Sequence, residues 1–396
     1  MAFGIKDKKH GKYDEKTESW DKEDLEETSD ILEDEDDGEI HEVGTDKFPC
    51  PSCGGNMEFS PDEQKLQCPY CKTVVEIENE ETDVREYNLR DAEEKASHNW
   101  GGDKVVIKCS NCGGATVVDS STKARFCSFC GSSHVVKTDE SVGIKPETMI
   151  PFKVNREKGK KKFRSWINGK FFAPGELKKD QTLERLQGVY IPFFTYDSSS
   201  NTAYTAKRGT HYYTTHTRVV DGKTVTERVR HTRWTTVRGI YSNYFDDVLV
   251  NVSRHIDDDL VKRMGGYNLR RLLPYKAEYM SGFIAEKYSI SLNDGWYKAK
   301  MDIDQSIDQG IRRQVGGDEF RLLNKSTDYG EIKYKHVLLP MWMSAYKFKE
   351  KTYKFLVNGQ TGNVSGEYPK SPLKIAGVIL TFVLIGLLGY LIYTYR

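Results

Sequence analysis

The sequence predicts a multidomain chain: two small four-cysteine zinc ribbons, a β-rich α+β domain and one C-terminal transmembrane helix. Three observations carry this reading. All eight cysteines stand in four C-x-x-C pairs, the last 22 residues contain a long uncharged stretch, and the large region between is aromatic-rich with strand and turn signals. The predicted boundaries are an acidic lead at 1–46, a first ribbon at 47–80, a linker at 81–103, a second ribbon at 104–140, the β-rich domain at 141–368 and the anchor at 369–396. A chain of 396 residues has ample length for this division.

The lead is read from charge. The chain has 59 basic and 59 acidic residues, yet its neutrality is a sum of opposites. Between Asp14 and Glu42, sixteen acidic residues accompany only Lys16 and Lys22, a local net of −14, so the remainder carries +14. So few apolar residues cannot offset the entropy of ordering, and disorder is expected over 1–46. Such an arm either solvates the chain or docks on its basic remainder.

The cysteines form one pattern used twice. Cys50, Cys53, Cys68 and Cys71 are followed 59 positions later by Cys109, Cys112, Cys127 and Cys130, and fourteen residues separate the inner pair in each set. Two residues between thiolates let one tight turn aim both sulfurs at one ion, and the second turn completes a tetrahedron. Gly54, Gly113 and Gly131 follow their pairs directly, where a turn donating backbone N–H groups to sulfur favours positive φ; Lys72 stands there after Cys71. The reading is two Zn2+ sites, with iron in a rubredoxin-like site as the alternative. Disulfides would require an oxidising compartment. Cys68-Pro-Tyr-Cys71 also has the form of a glutaredoxin-type redox tetrapeptide, but no strand-helix-strand pattern surrounds it. Four thiolates leave no open coordination position, so a structural or docking role is expected. Short strands are predicted at 65–67, 73–77, 116–119 and 134–136, and a helix from Val84 to Ser97 capped by Asp83.

Within 141–368 the clearest local signal is Asp221-Gly222 between two Thr- and Val-rich runs, a type I′ hairpin turn. With those two residues as the loop, His216 stands opposite Glu227 as a cross-strand ion pair. Neither face of this hairpin is continuously apolar, so it should project into solvent or against a polar partner. Its basic and aromatic residues are suited to phosphates of nucleic acid or anionic lipid. A second duplication is suggested by Ile150-Pro-Phe-Lys-Val beside Leu273-Pro-Tyr-Lys-Ala, and by Ile191-Pro-Phe-Phe beside Leu339-Pro-Met-Trp.

Ile375 to Tyr395 is 21 residues without a charge, bounded by Lys370, Lys374 and Arg396. At about 1.5 Å per residue a helix of that length crosses a bilayer of about 30 Å. The N-terminus has no apolar signal-peptide region. The expectation is a single-pass, tail-anchored protein of the cell membrane whose bulk is cytoplasmic, with the flanking lysines on the inner side.

No catalytic residues are identified. Gly222-Lys223-Thr224 has Thr217 where a Walker A loop needs glycine, and no H-E-x-x-H, G-x-S-x-G or G-x-G-x-x-G occurs. His211 and His216 fall on opposite faces of a strand. A non-enzyme is expected.

The paired ribbons, the segments Leu339-Pro-Met-Trp-Met-Ser-Ala-Tyr-Lys-Phe-Lys and Val357-Asn-Gly-Gln-Thr-Gly-Asn-Val-Ser-Gly-Glu, and the final apolar helix together resemble a family of Gram-positive bacteria, the YdjG-like zinc-ribbon, C-terminally membrane-anchored proteins. The resemblance covers about residues 47 to 396. It implies association with phage-shock-like envelope-stress operons, and with PspA-type and flotillin-like partners at the membrane. The long acidic lead departs from the family pattern. The function expected is a non-enzymatic adaptor that recruits or scaffolds partner proteins on the cytoplasmic face. The alternative is a membrane-tethered, transcription-factor-type ribbon that binds nucleic acid. Lys104, Lys108, Lys123 and Arg125 around the second ribbon suit phosphates, whereas Glu58, Asp62, Glu63, Glu76, Glu78 and Glu80 make the first ribbon acidic.

Overall fold

The computed structural model describes residues 48–78, 86–91, 100, 104–119, 127–130, 132–138, 141, 143–175, 186–220, 223–348 and 351–395. The acidic lead, most of the helix expected at 84–97, the Asp221-Gly222 turn, and Glu80, Lys123 and Arg125 lie outside them.

Strands β1 (Glu58–Ser60), β2 (Lys65–Gln67) and β3 (Val74–Val75) form a small antiparallel sheet beside the first cysteine set. All other strands among the described residues belong to one larger sheet. The described part of the linker is strand β4 (Tyr87–Asn88) and a 3-10 turn at Leu89–Asp91, where the sequence suggested helix. Two local facts explain the difference. Tyr87 pairs with Tyr334 on a long strand, and the Asn88 side chain accepts the Arg90 N–H at 3.0 Å, capturing a backbone donor.

Beside the second cysteine set lie β5 (Lys104–Cys109), β6 (Ala115–Asp119) and β7 (Val135–Thr138). Next come β8 (Thr148–Met149), α1 (Arg156–Asn168), and the long strands β9 (Gln187–Val220) and β10 (Lys223–Asn251). They are followed by α2 (Asp258–Met264), β11 (Leu273–Pro274), β12 (Ile284–Glu286), α3 (Leu292–Val315) and β13 (Glu319–Tyr329). The chain closes with β14 (Lys333–Phe348), β15 (Lys351–Asn358), β16 (Val364–Gly366) and α4 (Pro372–Thr394). The main sheet runs β11-β8-β14-β9-β12-β6-β5-β7. Its β12–β6 pairing, Ala285 on Val117 and Glu286 on Thr116, continues the sheet directly into the strands of the second cysteine set.

The centre of this sheet repeats itself. Ile191 of β9 lies directly opposite Leu339 of β14. With those two residues taken as equivalents, β8 lies parallel on β14 (Thr148 on Val337, Met149 on Leu338) in the same register as β12 on β9 (Ile284 on Val189, Ala285 on Tyr190). In both halves a helix cap follows six residues later: the Asn155 side chain accepts from Lys158 N–H, and the Ser291 side chain from Asp294 N–H. The hairpins match too, with Phe193 opposite Asn251 and Met341 opposite Asn358. Thus the Ile191-Pro and Leu339-Pro passages are equivalents, but Ile150-Pro and Leu273-Pro are not. Leu273-Pro274 is the antiparallel partner of β8, and the true counterpart of 148–149 is 284–285. The likeness between the two Pro motifs reflects a shared demand of short strand ends, where a residue lacking N–H costs no ladder bond.

One face of the sheet is sealed by α1, which buries Gly159, Phe163 and Ile167; Phe163 stacks on Phe355 with centroids 3.7 Å apart. Phe152, Phe283 and Trp342 form the adjoining aromatic core, and the Trp342 indole donates to the Val154 carbonyl at 2.7 Å. Helix α3 covers the long strands with Ala299, Ile303, Ile307 and Ile311. Gly310 is needed there, because a Cβ would run into the Tyr241 ring.

Strand β13 pairs with β9 only as far as Gly209, so the β9–β10 hairpin continues beyond it as a two-stranded arm. Its register is the one the Asp-Gly turn predicts, Val220 on Lys223 and His216 on Glu227. The predicted ion pair shifts diagonally: Glu227 is engaged by Arg218 at 3.7 Å, while the His216 ring bonds Thr214 at 3.1 Å. The longer guanidinium reaches the carboxylate from the neighbouring pair, and the imidazole finds a hydroxyl on its own strand.

Helix α4 is long and apolar enough to cross a membrane, and none of its residues is buried.

Candidate metal centres

The eight cysteines gather into two separate quartets, Cys50, Cys53, Cys68 and Cys71, and Cys109, Cys112, Cys127 and Cys130. In each, all four sulfurs lie within 4.8 Å of one another. Close sulfur pairs are Cys50–Cys71 at 3.4 Å and Cys53–Cys68 at 3.5 Å in the first, and Cys109–Cys130 at 3.7 Å and Cys112–Cys127 at 3.6 Å in the second. A tetrahedron with metal–sulfur bonds of ~2.3 Å has sulfur–sulfur edges of ~3.8 Å, so both quartets fit a metal ion. A disulfide, at ~2.05 Å, does not describe them, and all eight are free. The close partners of Cys68 and Cys71 belong to the other knuckle, as a shared ion requires and a Cys-x-x-Cys redox pair does not.

The described turns carry the predicted backbone; Gly131 lies outside the described residues. Gly54 and Gly113 have φ of +73° and +75°, and Lys72 adopts +65° despite its side chain. Each turn closes on a backbone bond, from Gly54 to Cys50, Lys72 to Cys68 and Gly113 to Cys109. This geometry aims N–H groups at sulfur: Thr73, by hydroxyl and then by N–H, holds the Cys71 thiol down at about 6. Burial raises Cys130, but the Asn111 amide and Ser132 N–H bring it down to about 7. The Gly55 N–H favours ionised Cys53, yet the neighbouring Cys71 and Cys68 sulfurs push that thiol up to about 12. Burial lifts Cys112 to about 11. Within each quartet some sulfurs are ready thiolates while others resist ionising beside them. A cation at the centre removes that conflict.

The two centres sit in different surroundings. The residue before the last cysteine packs its ring against the second glycine of the opposite knuckle, Tyr70 on Gly55 and Phe129 on Gly114, positions related by the same 59-residue shift. Tyr70 is 77% exposed and Phe129 is 1% exposed. Phe129 lies on the His255 ring with centroids 5.0 Å apart, and Ser128 donates to Gln187 at 2.8 Å, so the second centre is built into the main domain. The first touches the domain through its strands instead: Phe59 N–H donates to Ser281, Ser281 hydroxyl donates to Met57, and Phe59 packs on Tyr279 at 5.2 Å. Cys53, Tyr70 and Cys71 stay exposed on its outer side. Within the repeated motif the two rings differ only by the Tyr70 hydroxyl.

Three polar clusters were not apparent from sequence. Glu286 is fully buried; it accepts Ser253 hydroxyl at 2.6 Å and bonds His255 Nδ1 at 3.0 Å, and burial raises its carboxyl. The serine proton is directed to the carboxylate rather than the imidazole, so this trio is not an activated nucleophile. Asp197, Asp246 and Asp247 converge, but Lys335 lies 2.6 Å from Asp247 and 3.2 Å from Glu86 and supplies the positive charge there. Glu147, lifted to about 7 by burial, accepts the His336 N–H at 2.6 Å, while burial holds the His336 ring down at about 4. A cavity of 420 Å³ lies between α2, α3 and the strands, lined by Phe193, Leu249, Val261, Tyr267 and Met301, with Lys298 paired to Asp258 at its edge.

The chain is similar to the uncharacterized protein YdjG of Bacillus subtilis (strain 168), with 26% identity over 332 residues that span 83% of this chain and 92% of that one. No protein-family model matches the chain, and no solved structure does.

Proposed function

We propose that this protein is a non-enzymatic adaptor, held at the cytoplasmic face of the cell membrane by α4, whose two four-cysteine ribbons each bind one zinc ion. The supporting observation is the asymmetry of the repeated centres. The second, with Phe129 buried, serves as a structural rivet, and the first presents Tyr70 beside exposed Cys53 and Cys71 as a docking face. Four sulfur ligands per ion leave no coordination position for substrate, which favours docking over catalysis. The family resemblance points to envelope-stress partners of the PspA and flotillin types.

The competing reading, nucleic-acid binding by the ribbons, is disfavoured by the acidity of the first ribbon. Glu58, Glu63 and Glu78 are exposed, although Asp62 and Glu76 are engaged by Lys158 and Lys65. A photo-reactive amino acid in place of Tyr70, in cells carrying the full chain, tests the choice. Protein adducts that vanish with Cys71→Ser are expected; nucleic-acid adducts would overturn the adaptor reading.

A further inference from the structure

Helix α1 is strongly basic: its thirteen residues hold six Lys or Arg against the single acid Glu157. Lys160 pairs with Glu157, and Lys158 pairs with Asp62, but Lys161 and Lys162 are exposed on the same helix. The loop that follows is joined to the start of α4. Ser371 N–H donates to the Phe172 carbonyl at 2.8 Å, and the Lys374 ammonium donates to the Phe171 and Ala173 carbonyls at 3.0 and 2.7 Å. Lys374 is the last charge before the uncharged stretch, so these bonds fix residues 171–173 at the depth where α4 would enter the bilayer.

The side chains at that depth suit an interface. Phe171 is 65% exposed, edge-on to Phe172 with centroids 5.2 Å apart and with the Lys374 ammonium 5.9 Å over its ring. Lys170 lies 5.0 Å over the Trp166 ring and 5.9 Å over Tyr368, an arrangement of aromatic bodies and cationic tips that belongs at headgroup level. Basic residues close to an entering helix are drawn to anionic headgroups, and an aromatic ring among them adds insertion.

We infer that α1 and the 170–173 loop form a peripheral membrane contact that binds anionic phospholipid headgroups, with Phe171 set at the boundary of headgroup and acyl chain. The inference rests on the reading of α4 as a membrane anchor. It adds an orientation: the body is held down on the bilayer at α1, not left swinging from a single tether. That attachment makes the body sensitive to lipid charge.

The test reconstitutes the full chain into nanodiscs of phosphatidylcholine alone, and of phosphatidylcholine with about one-third phosphatidylglycerol, and measures amine labelling of each lysine by mass spectrometry. Labelling of Lys161, Lys162 and Lys170 is expected to fall about fivefold in the anionic discs, with Lys207 on the long hairpin unchanged. Salt at about 0.5 M should restore it. Phe171→Ser should weaken the protection while the other lysines keep their rates, which reports an intact fold. Equal rates in both discs overturn the inference and leave the anchor standing. A chain recovered outside the discs overturns the anchor and the inference together. Protection conferred by a DNA duplex in neutral discs, and not by phosphatidylglycerol, assigns the face to nucleic acid and also overturns it.

Discussion

Phe129 and Tyr70 occupy the same place in two copies of one motif, and they should answer the same substitution in opposite ways. Truncation of Phe129 to alanine removes a ring that is 1% exposed, seated on Gly114 and facing His255 at 5.0 Å. Losing that burial costs about 3 kcal/mol by transfer, and the vacated space and lost ring pair bring the sum to roughly 3–5 kcal/mol. Tyr70, at 77% exposure, should cost no more than about 0.5 kcal/mol. Urea unfolding of the full chain in a mild non-ionic detergent, followed by circular dichroism, reads the difference. With a slope of about 3 kcal/mol/M, Phe129→Ala moves the midpoint down by roughly 1 M or more, and Tyr70→Ala leaves it in place. Equal shifts for the two variants would refute the claim that the ring of the second centre is built into the core and that of the first is not.

Other consequences are as specific. Glu147→Gln should stabilise the protein progressively more as pH rises from 5 to 8. The folded carboxyl is raised to about 7 from a usual value near 4.5, so its contribution is present below the unfolded value and lost as pH climbs through the folded one. Thermal melts of the two proteins at each pH check this, and a difference independent of pH contradicts it. Replacing 213–230 with a two-residue turn should change stability by no more than about 1 kcal/mol, because β13 supports the hairpin only up to Gly209 and the His211 and Thr232 bonds to Glu319 are kept. A collapse in melting temperature would show that the arm is structural. A chain stopped after Ser371 should leave the membrane fraction for the soluble one, since α4 contributes no buried residue to the body; equal fractionation contradicts the anchor.

How much of this was legible in the residues depended on how local the determinant was. The quartets followed from cysteine spacing, because two-residue knuckles can be completed only by a second knuckle within reach. The hairpin register followed from Asp221-Gly222 alone. In contrast, the partners of β8 and β12 lie at least 95 residues away along the chain, and a look-alike Pro motif at Leu273 resembles a strand that is not its counterpart. Within the helix expected at 84–97, the described residues 87–88 form a strand instead, through a pairing of Tyr87 with Tyr334 that only the assembled sheet can offer. The extent to which Tyr70 is exposed and Phe129 buried was not legible either: the rings stand in matching motifs and differ by one hydroxyl, and what buries Phe129 is the His255 ring and the strands packed beside it.

The proposed rivet and docking face both require two four-sulfur zinc centres in one chain. Zinc K-edge absorption of the purified full-length protein, scaled to protein concentration, tests this most directly. Two zinc ions per chain, each with four sulfur neighbours at about 2.3 Å, are predicted. Stoichiometric iron, a single ion, or nitrogen and oxygen in the coordination shell would contradict it.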